Sequence, residues 1–158
     1  MAKNAAQFKL ELDEFVEEEV EGGALKLQQR MMADLLQGII LNTPVGDRRR
    51  WKLNIERKQR GLSGLLPRGY VGGHARKNWQ VTINRPPTNQ LPGQDNTGQE
   101  TLQRGLRKIT QIDKPVLAYI SNRVPYIQRL EEGWSKIKPR GFVRQQIRRV
   151  SEKYKRQR

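Results

Sequence analysis

The charge of this chain is divided between an acidic segment near the N-terminus and a basic remainder. Residues 11–21 hold seven carboxylates and neither Lys nor Arg: Glu11, Asp13, Glu14, Glu17, Glu18, Glu19 and Glu21. The formal net charge is nevertheless +15. A compact monomer with such a charge repels itself unless something neutralises it. The sequence offers two solutions: nucleic-acid phosphates, or the acidic segment of a neighbouring copy.

Length and composition restrict the size of the core. A chain of 158 residues predicts one domain, and 35% hydrophobic residues with 30% charged residues predict a small core. Without cysteine there are no disulfides, thiolate metal sites or cysteine nucleophiles. The N-terminus lacks the apolar core of a signal peptide. The longest apolar stretch, Leu35 to Leu41, is too short to span a bilayer. We therefore expect an intracellular protein without a membrane partner.

The N-terminal third predicts two helices. Residues 5–20 have helical spacing of Phe8, Leu12, Phe15 and Val20, and acidic residues fill the other face. The pair Gly22-Gly23 is expected to break this helix. A second helix is predicted from Ala24 to Leu41, because an apolar residue recurs every four positions until Pro44. We accordingly divide the chain into an acidic helix or arm, 1–23, and one domain, 24–158.

The rest of the chain predicts a small sheet between long loops. Period-two alternation indicates strands at 79–83 and 116–122, and a third strand is expected. The segment 45–73, rich in Gly, Arg and Lys, is predicted to be a long loop. Residues 140–158 predict a basic amphipathic helix with Val143, Ile147, Val150 and Tyr154 on its apolar face. The predicted class is α+β: an antiparallel sheet packed by the N-terminal helix pair and the C-terminal helix.

Signals for an enzyme are weak. The only histidine, His74, follows Gly72-Gly73, but the spacing matches no phosphate-binding loop. Asp113, Glu131 and Glu132 are too few and too poorly spaced for a nuclease metal site. We expect no catalytic residues, no metal and no cofactor.

The basic segments are a stronger signal. Seven cations crowd the end of the chain: Arg144, Arg148, Arg149, Lys153, Lys155, Arg156 and Arg158. The basic face of such a helix is either solvated or paired with acidic groups or phosphates of a partner. The affinity for phosphates would fall as the salt concentration rises. Few aromatic residues accompany the cations, and no DNA-reading motif is present. Any DNA contact is therefore expected to ignore base sequence.

Three separated stretches carry a family resemblance. The first is Asn42-Thr43-Pro44-Val45-Gly46-Asp47, and the second runs from Gly69 to Val81. The third runs from Tyr119 to Ser135, and Pro139-Arg140-Gly141-Phe142-Val143 follows it. In this order they resemble the tail-completion, or neck, proteins of tailed bacteriophages. The matching positions are Thr43, Pro44, Gly73, Arg76, Asn78, Trp79, Asn122, Pro125, Tyr126, Leu130, Glu131, Gly133 and Trp134.

The residue types at these positions indicate folding roles. Thr43-Pro44 would end a helix, and Trp79 would be a large apolar anchor. Pro125-Tyr126 would turn a strand into a helix that Gly133 ends, with Leu130 packed inward. Trp134 is expected to cover the core edge or to meet a neighbour.

One departure from the family pattern is a basic insertion. Many members join the Thr-Pro-Val turn to the following strand through a short linker. In this chain the corresponding segment, residues 48–71, is longer and strongly basic. We consider three alternatives: the insertion lines a DNA channel, contacts an adjacent ring or is disordered. Its candidate DNA-facing residues are Arg48, Arg49, Arg50, Arg57 and Lys58.

The resemblance implies a virion structural protein at the head–tail junction. It implies a homo-oligomeric ring of six or twelve copies, contacts with connector, head-completion and tail proteins, and residence in the host cytoplasm during assembly. The charge division favours head-to-tail contacts. The candidate interface residues are Glu14, Glu17, Glu18, Arg144 and Arg148, and we expect salt to loosen the assembly. The alternative is a sequence-nonspecific nucleic-acid-binding protein that acts outside the virion.

Overall fold

The computed structural model describes residues 20, 22–135 and 140–156. Within these ranges the chain forms six α-helices, a short 3₁₀ helix and two strands. In chain order they are α1 (Gly22–Asn42), the 3₁₀ helix (Arg48–Arg50), α2 (Lys52–Gln59), α3 (His74–Lys77), β1 (Trp79–Ile83), α4 (Gln99–Thr110), β2 (Ala118–Asn122), α5 (Ile127–Glu131) and α6 (Phe142–Lys155). The predicted α+β class is confirmed. The predicted helix at 5–20 lies outside the described residues, except for Val20.

Helix α1 is the central element of the core. Its side chains Leu36, Ile39 and Ile40 are almost fully buried. It ends at the predicted place, where the Thr43 N–H still donates to the Ile39 carbonyl (2.9 Å) and Pro44 follows. The expectation that Gly22-Gly23 would lie before the helix is wrong, because both residues belong to its first turn.

The sheet is a single antiparallel pair. Strands β1 and β2 align with Trp79 opposite Asn122 and Val81 opposite Ile120. Trp79 and Val81 are buried, whereas Ile83 at the end of β1 is exposed. The expected third strand does not form in the described ranges.

Two helices cover α1. Helices α4 and α6 both pack against α1, and α4 also contacts β1. The buried cluster consists of Leu36, Ile39, Ile40, Trp79, Val81, Ile109 and Phe142. Gly105 allows the close approach of α4, because a Cβ built there would lie 2.3 Å from Leu36 Cδ2. The predicted apolar face of α6 needs a correction: Phe142, Gln146 and Val150 are buried, but Ile147 is 48% exposed.

The predicted loop at 45–73 is partly helical. It contains the 3₁₀ helix and α2. The Asp47 side chain caps the 3₁₀ helix by accepting from the Arg49 N–H. Asn54 organises the rest, because its amide donates to the carbonyls of Arg48 and Leu66 and its side-chain oxygen accepts from the Leu66 N–H. The sequence pattern missed α2 because its exposed face includes Leu53 and Ile55 and has no polar–apolar period.

Candidate assembly and nucleic-acid surfaces

The first two stretches of the family resemblance meet in the core. The Trp79 indole N–H donates to the Thr43 hydroxyl at 2.7 Å, and that hydroxyl donates to the Ile39 carbonyl at 2.7 Å. The Arg76 guanidinium donates to the Thr43 carbonyl at 2.8 Å and also to the Asn96 carbonyl. Burial lowers the pKa of Arg76, and the nearby Asp95 carboxylate opposes that shift. These contacts join the end of α1, helix α3 and strand β1.

Two asparagines hold the chain around α3. The Asn78 side-chain oxygen accepts from the Leu91 N–H at 2.7 Å, and its amide donates to the carbonyls of His74 and Leu91. Asn122, from the third stretch, donates to the Ala75 carbonyl at 2.7 Å. All three stretches of the resemblance are therefore connected by hydrogen bonds to buried backbone.

Gly73 packs against the loop that begins α4. Its φ is 92°, and a Cβ there would lie 2.5 Å from the backbone of Asp95 and Asn96. The Asp95 carboxylate accepts from the N–H groups of Gly98 and Thr101 and from the Thr101 hydroxyl, at 2.7–2.8 Å. Burial tends to raise the pKa of Asp95, but these bonds together hold it below its ordinary value.

The third stretch forms α5 and supports α6. Gly133, with a φ of 92°, ends α5: its N–H donates to the Leu130 carbonyl, and the Trp134 N–H donates to the Arg129 carbonyl. Leu130 packs against the core, as predicted. The Glu131 carboxylate accepts from the N–H groups of Val143 (2.8 Å) and Arg144 (3.2 Å) and so caps the N-terminus of α6.

Pro125, Tyr126 and Trp134 lie at the surface. Tyr126 occupies the N-cap position of α5, so the predicted strand-to-helix turn is present. The Tyr126 side chain is only partly exposed, and this partial burial raises the pKa of its hydroxyl, with Tyr70 adding to the shift. Trp134 is 74% exposed, and the Arg129 guanidinium lies 5.0 Å from its ring centroid. Trp134 therefore does not cover the core and is available to a neighbour.

The five candidate DNA-facing residues do not act alike. Arg48 donates to the Pro67 carbonyl at 2.7 Å, and Arg57 donates to the Ser63 carbonyl at 3.1 Å, so both brace the segment internally. Arg49 is exposed but pairs with Asp47 at 2.9 Å. This pairing lowers the pKa of Asp47 and raises that of Arg49. Arg50 and Lys58 are exposed, and Arg50 lies 3.9 Å from Asp47.

Helix α6 presents the candidate interface cations. Arg144 and Arg148 are both exposed; Arg144 lies 3.8 Å from Glu131, and Arg148 has no ion pair with any acidic residue of the described ranges. The Lys153 ammonium binds Asp34 of α1 at 2.6 Å, which lowers the pKa of that carboxyl. The other candidates, Glu14, Glu17 and Glu18, lie outside the described residues.

An open apolar groove was not predicted from the sequence. It has a volume of about 750 Å³ and lies between the first two-thirds of α1, residues 115–117 and α6. Three large exposed apolar side chains line it: Leu27 (41%), Leu117 (62%) and Ile147 (48%). Gln28 holds one wall by pairing with both backbone groups of Val116. The available signal is the apolar stripe of α1, because Leu27 and Met31 at its start line the groove whereas Ile39 near its end lies in the core.

The described part of the chain has neither a group of metal-ligating side chains nor a helix suited to a bilayer. In residues 20, 22–135 and 140–156, no three His, Asp or Glu side chains are grouped as metal ligands. None of the helices described has both the length and the apolarity needed to cross a bilayer. Comparison with protein-family models, curated proteins and solved structures finds no match. The family resemblance therefore stays a prediction from the sequence.

Proposed function

We propose that this chain is a structural virion protein of the phage head–tail junction, which forms a neck or tail-completion ring between connector and tail. One observation carries the proposal. The three stretches that resemble the neck family meet through Thr43, Trp79, Arg76 and Asn122, and each of these residues binds backbone or a partner in the framework. Residues whose hydrogen bonds hold the backbone framework together support a structural function rather than a catalytic one.

The charge distribution supports a ring. Acidic residues are concentrated at 11–21, whereas Arg148 on α6 is exposed and unpaired within the described ranges. Oppositely charged surfaces on one chain favour head-to-tail contacts, which close when the rotation permits. The remaining positive charge would face the DNA channel without reading sequence. The protein would assemble in the host cytoplasm and remain in the virion, without catalytic activity or cofactor.

A complementation experiment tests this proposal. In a phage whose copy of the gene is inactivated, the supplied wild-type chain should restore joined particles. Trp134→Asp should reduce joining because Trp134 is exposed and available to a neighbour. Arg85→Asp changes another exposed position and should restore joining normally. Gold-labelled antibody should mark the head–tail junction. Normal joining without the chain would overturn the proposal.

A second candidate function is sequence-nonspecific binding of nucleic acid outside the virion. Exposed Arg50 and Lys58 and the basic face of α6 favour it. Fluorescence anisotropy with a duplex of arbitrary sequence separates the two functions. Binding at about micromolar or tighter dissociation constants, with a steep salt slope, would favour this alternative. Very weak binding together with co-purification on tail tubes or connectors would favour the neck protein.

A further inference from the structure

The apolar groove beside α1 needs an occupant. Leu27, Leu117 and Ile147 are exposed in the same concavity. Single apolar residues scattered over a surface need no explanation, but a contiguous apolar lining of this kind marks a binding site. The wall between α1 and residue 116 is fixed by the hydrogen bonds of Gln28. The groove is therefore held open by the fold.

The rim of the groove is predominantly basic. Eight cations lie next to its lining residues along the chain or one helical turn away, against the two acids Asp34 and Glu152; the cations are Lys26, Arg30, Lys114, Arg144, Arg148, Arg149, Lys153 and Lys155. All eight cations are exposed, and half-buried Asp34 already pairs with Lys153. An apolar ligand with an acidic outer face fits this surface better than an uncharged or basic one.

The sequence of this chain contains such a ligand. Residues 5–20 carry Phe8, Leu12, Phe15 and Val20 at helical spacing, with acidic residues between them. As a helix, this segment would be about 24 Å long. The part of α1 that lines the groove, from Ala24 to Leu35, extends about 17 Å. The segment is long enough to fill the groove along its whole length.

The occupant must come from another copy. Val20 already lies in a helical turn, α1 begins at Gly22, and only Glu21 separates them. The connection between antiparallel helices takes about two to five residues. The groove starts at Ala24, in the first turn of α1. The single residue between Val20 and α1 is therefore too short a connection for the segment to turn back and lie along the groove of its own subunit.

We propose that the groove of each subunit binds the acidic N-terminal segment, residues 5–20, of a neighbouring copy. This inference rests on the proposed ring and identifies the contact that joins its subunits. Apolar side chains would fill the groove, while the carboxylates of residues 11–21 would pair with its basic rim. Because each copy both gives a segment and receives one, the contact is head-to-tail and can close into a ring.

Cysteine cross-linking in the full chain tests the contact, since the natural sequence has no cysteine. Chains with Leu12→Cys or Phe15→Cys are mixed with tagged chains carrying Leu117→Cys or Ile147→Cys and oxidised. A disulfide-linked pair of one tagged and one untagged chain is expected. Ile55→Cys is the matched control, because Ile55 is similarly exposed on α2, outside the groove. Its chains should cross-link much less.

A second measurement does not depend on the helix register. In sedimentation at about 0.1 M salt, Leu117→Glu should raise the dissociation constant of the oligomer at least about tenfold, whereas Ile55→Glu should not. About 1 M salt should also weaken the wild-type oligomer. No cross-link at any groove pair, an intrachain cross-link in a doubly substituted chain, or an unchanged Leu117→Glu oligomer would overturn the inference.

The outcomes also separate this inference from the proposed function. A chain that sits at the head–tail junction but shows no groove cross-link would overturn only the inference. Groove cross-links in a chain that phage particles do not need for joining would overturn only the proposed function.

Discussion

The Trp79 indole N–H donates a 2.7 Å hydrogen bond to the Thr43 hydroxyl, which has no solvent exposure. The bond joins the first residue after α1 to the first residue of β1, across 36 positions of sequence. A buried donor that loses its only partner retains its full desolvation cost. This single bond therefore contributes to both the position of the sheet and the end of the helix.

We expect Thr43→Val to lower the free energy of unfolding by about 1–3 kcal/mol. Valine keeps the shape of threonine but removes the acceptor for the Trp79 N–H and the donor to Ile39. Denaturant unfolding, followed by far-UV circular dichroism at a fixed protein concentration, measures the change, since assembly would make stability depend on concentration.

Thr82→Val is the matched control for Thr43→Val. The Thr82 hydroxyl in β1 is buried and has no hydrogen-bond partner among the described residues. Valine also favours strands. Thr82→Val should thus be neutral or slightly stabilising. Equal effects of the two substitutions would show that the bond to Trp79 has no special role.

The elements that were predictable from the sequence have strong local signals. Alternation gave β1 at 79–83 correctly, because Trp79 and Val81 face the core and their neighbours do not. The proline at 44 correctly marked the end of α1. These features depend on residues near one another in the chain, so a single sequence suffices to find them.

The features that were missed depend on tertiary contacts. Asn54 binds backbone twelve residues away, and this bond orders a segment that has no period of its own. Arg48 looks like a DNA contact in the sequence, but it binds the Pro67 carbonyl. The groove arises only where α1, α6 and residues 115–117 come together. None of these partners can be identified from local patterns.

We expect Gly73→Ala to destabilise the fold by about 3 kcal/mol or more. The residue has a positive φ, and the added Cβ would lie 2.5 Å from backbone atoms of Asp95 and Asn96, which cannot rotate away. Gly61→Ala is the control, because Gly61 has a φ of 72° but nothing within 4 Å of a built Cβ. It should lose only about 1–2 kcal/mol from backbone strain. Thermal and denaturant unfolding of both variants measure the difference, and equal losses would contradict the proposed clash.

Helix α6 should depend on a cap supplied by α5. Glu131→Ala removes the carboxylate that accepts from the N–H groups of Val143 and Arg144, and we expect a loss of about 1 kcal/mol. Faster hydrogen exchange at those two amides should accompany it. Glu132→Ala removes the adjacent, exposed carboxylate and should change neither quantity. Unaltered exchange at residues 143 and 144 in Glu131→Ala would show that the carboxylate does not cap α6.

Stability should fall in acid partly through Asp95. Its pKa is lower in the folded chain than in the unfolded chain, since the bonds from Thr101, Gly98 and Thr97 outweigh the opposing effect of burial. The stabilisation is therefore complete above the unfolded pKa of about 3.9 and is lost as the pH falls through the folded value. Asp95→Asn should cost about 1–2 kcal/mol at neutral pH, because the amide oxygen replaces only one of two accepting oxygens. The difference from wild type should narrow below about pH 4. Asp113→Asn alters an exposed loop residue, and its stability should equal that of wild type at every pH. A constant deficit of Asp95→Asn across the acid range would refute the role of ionisation.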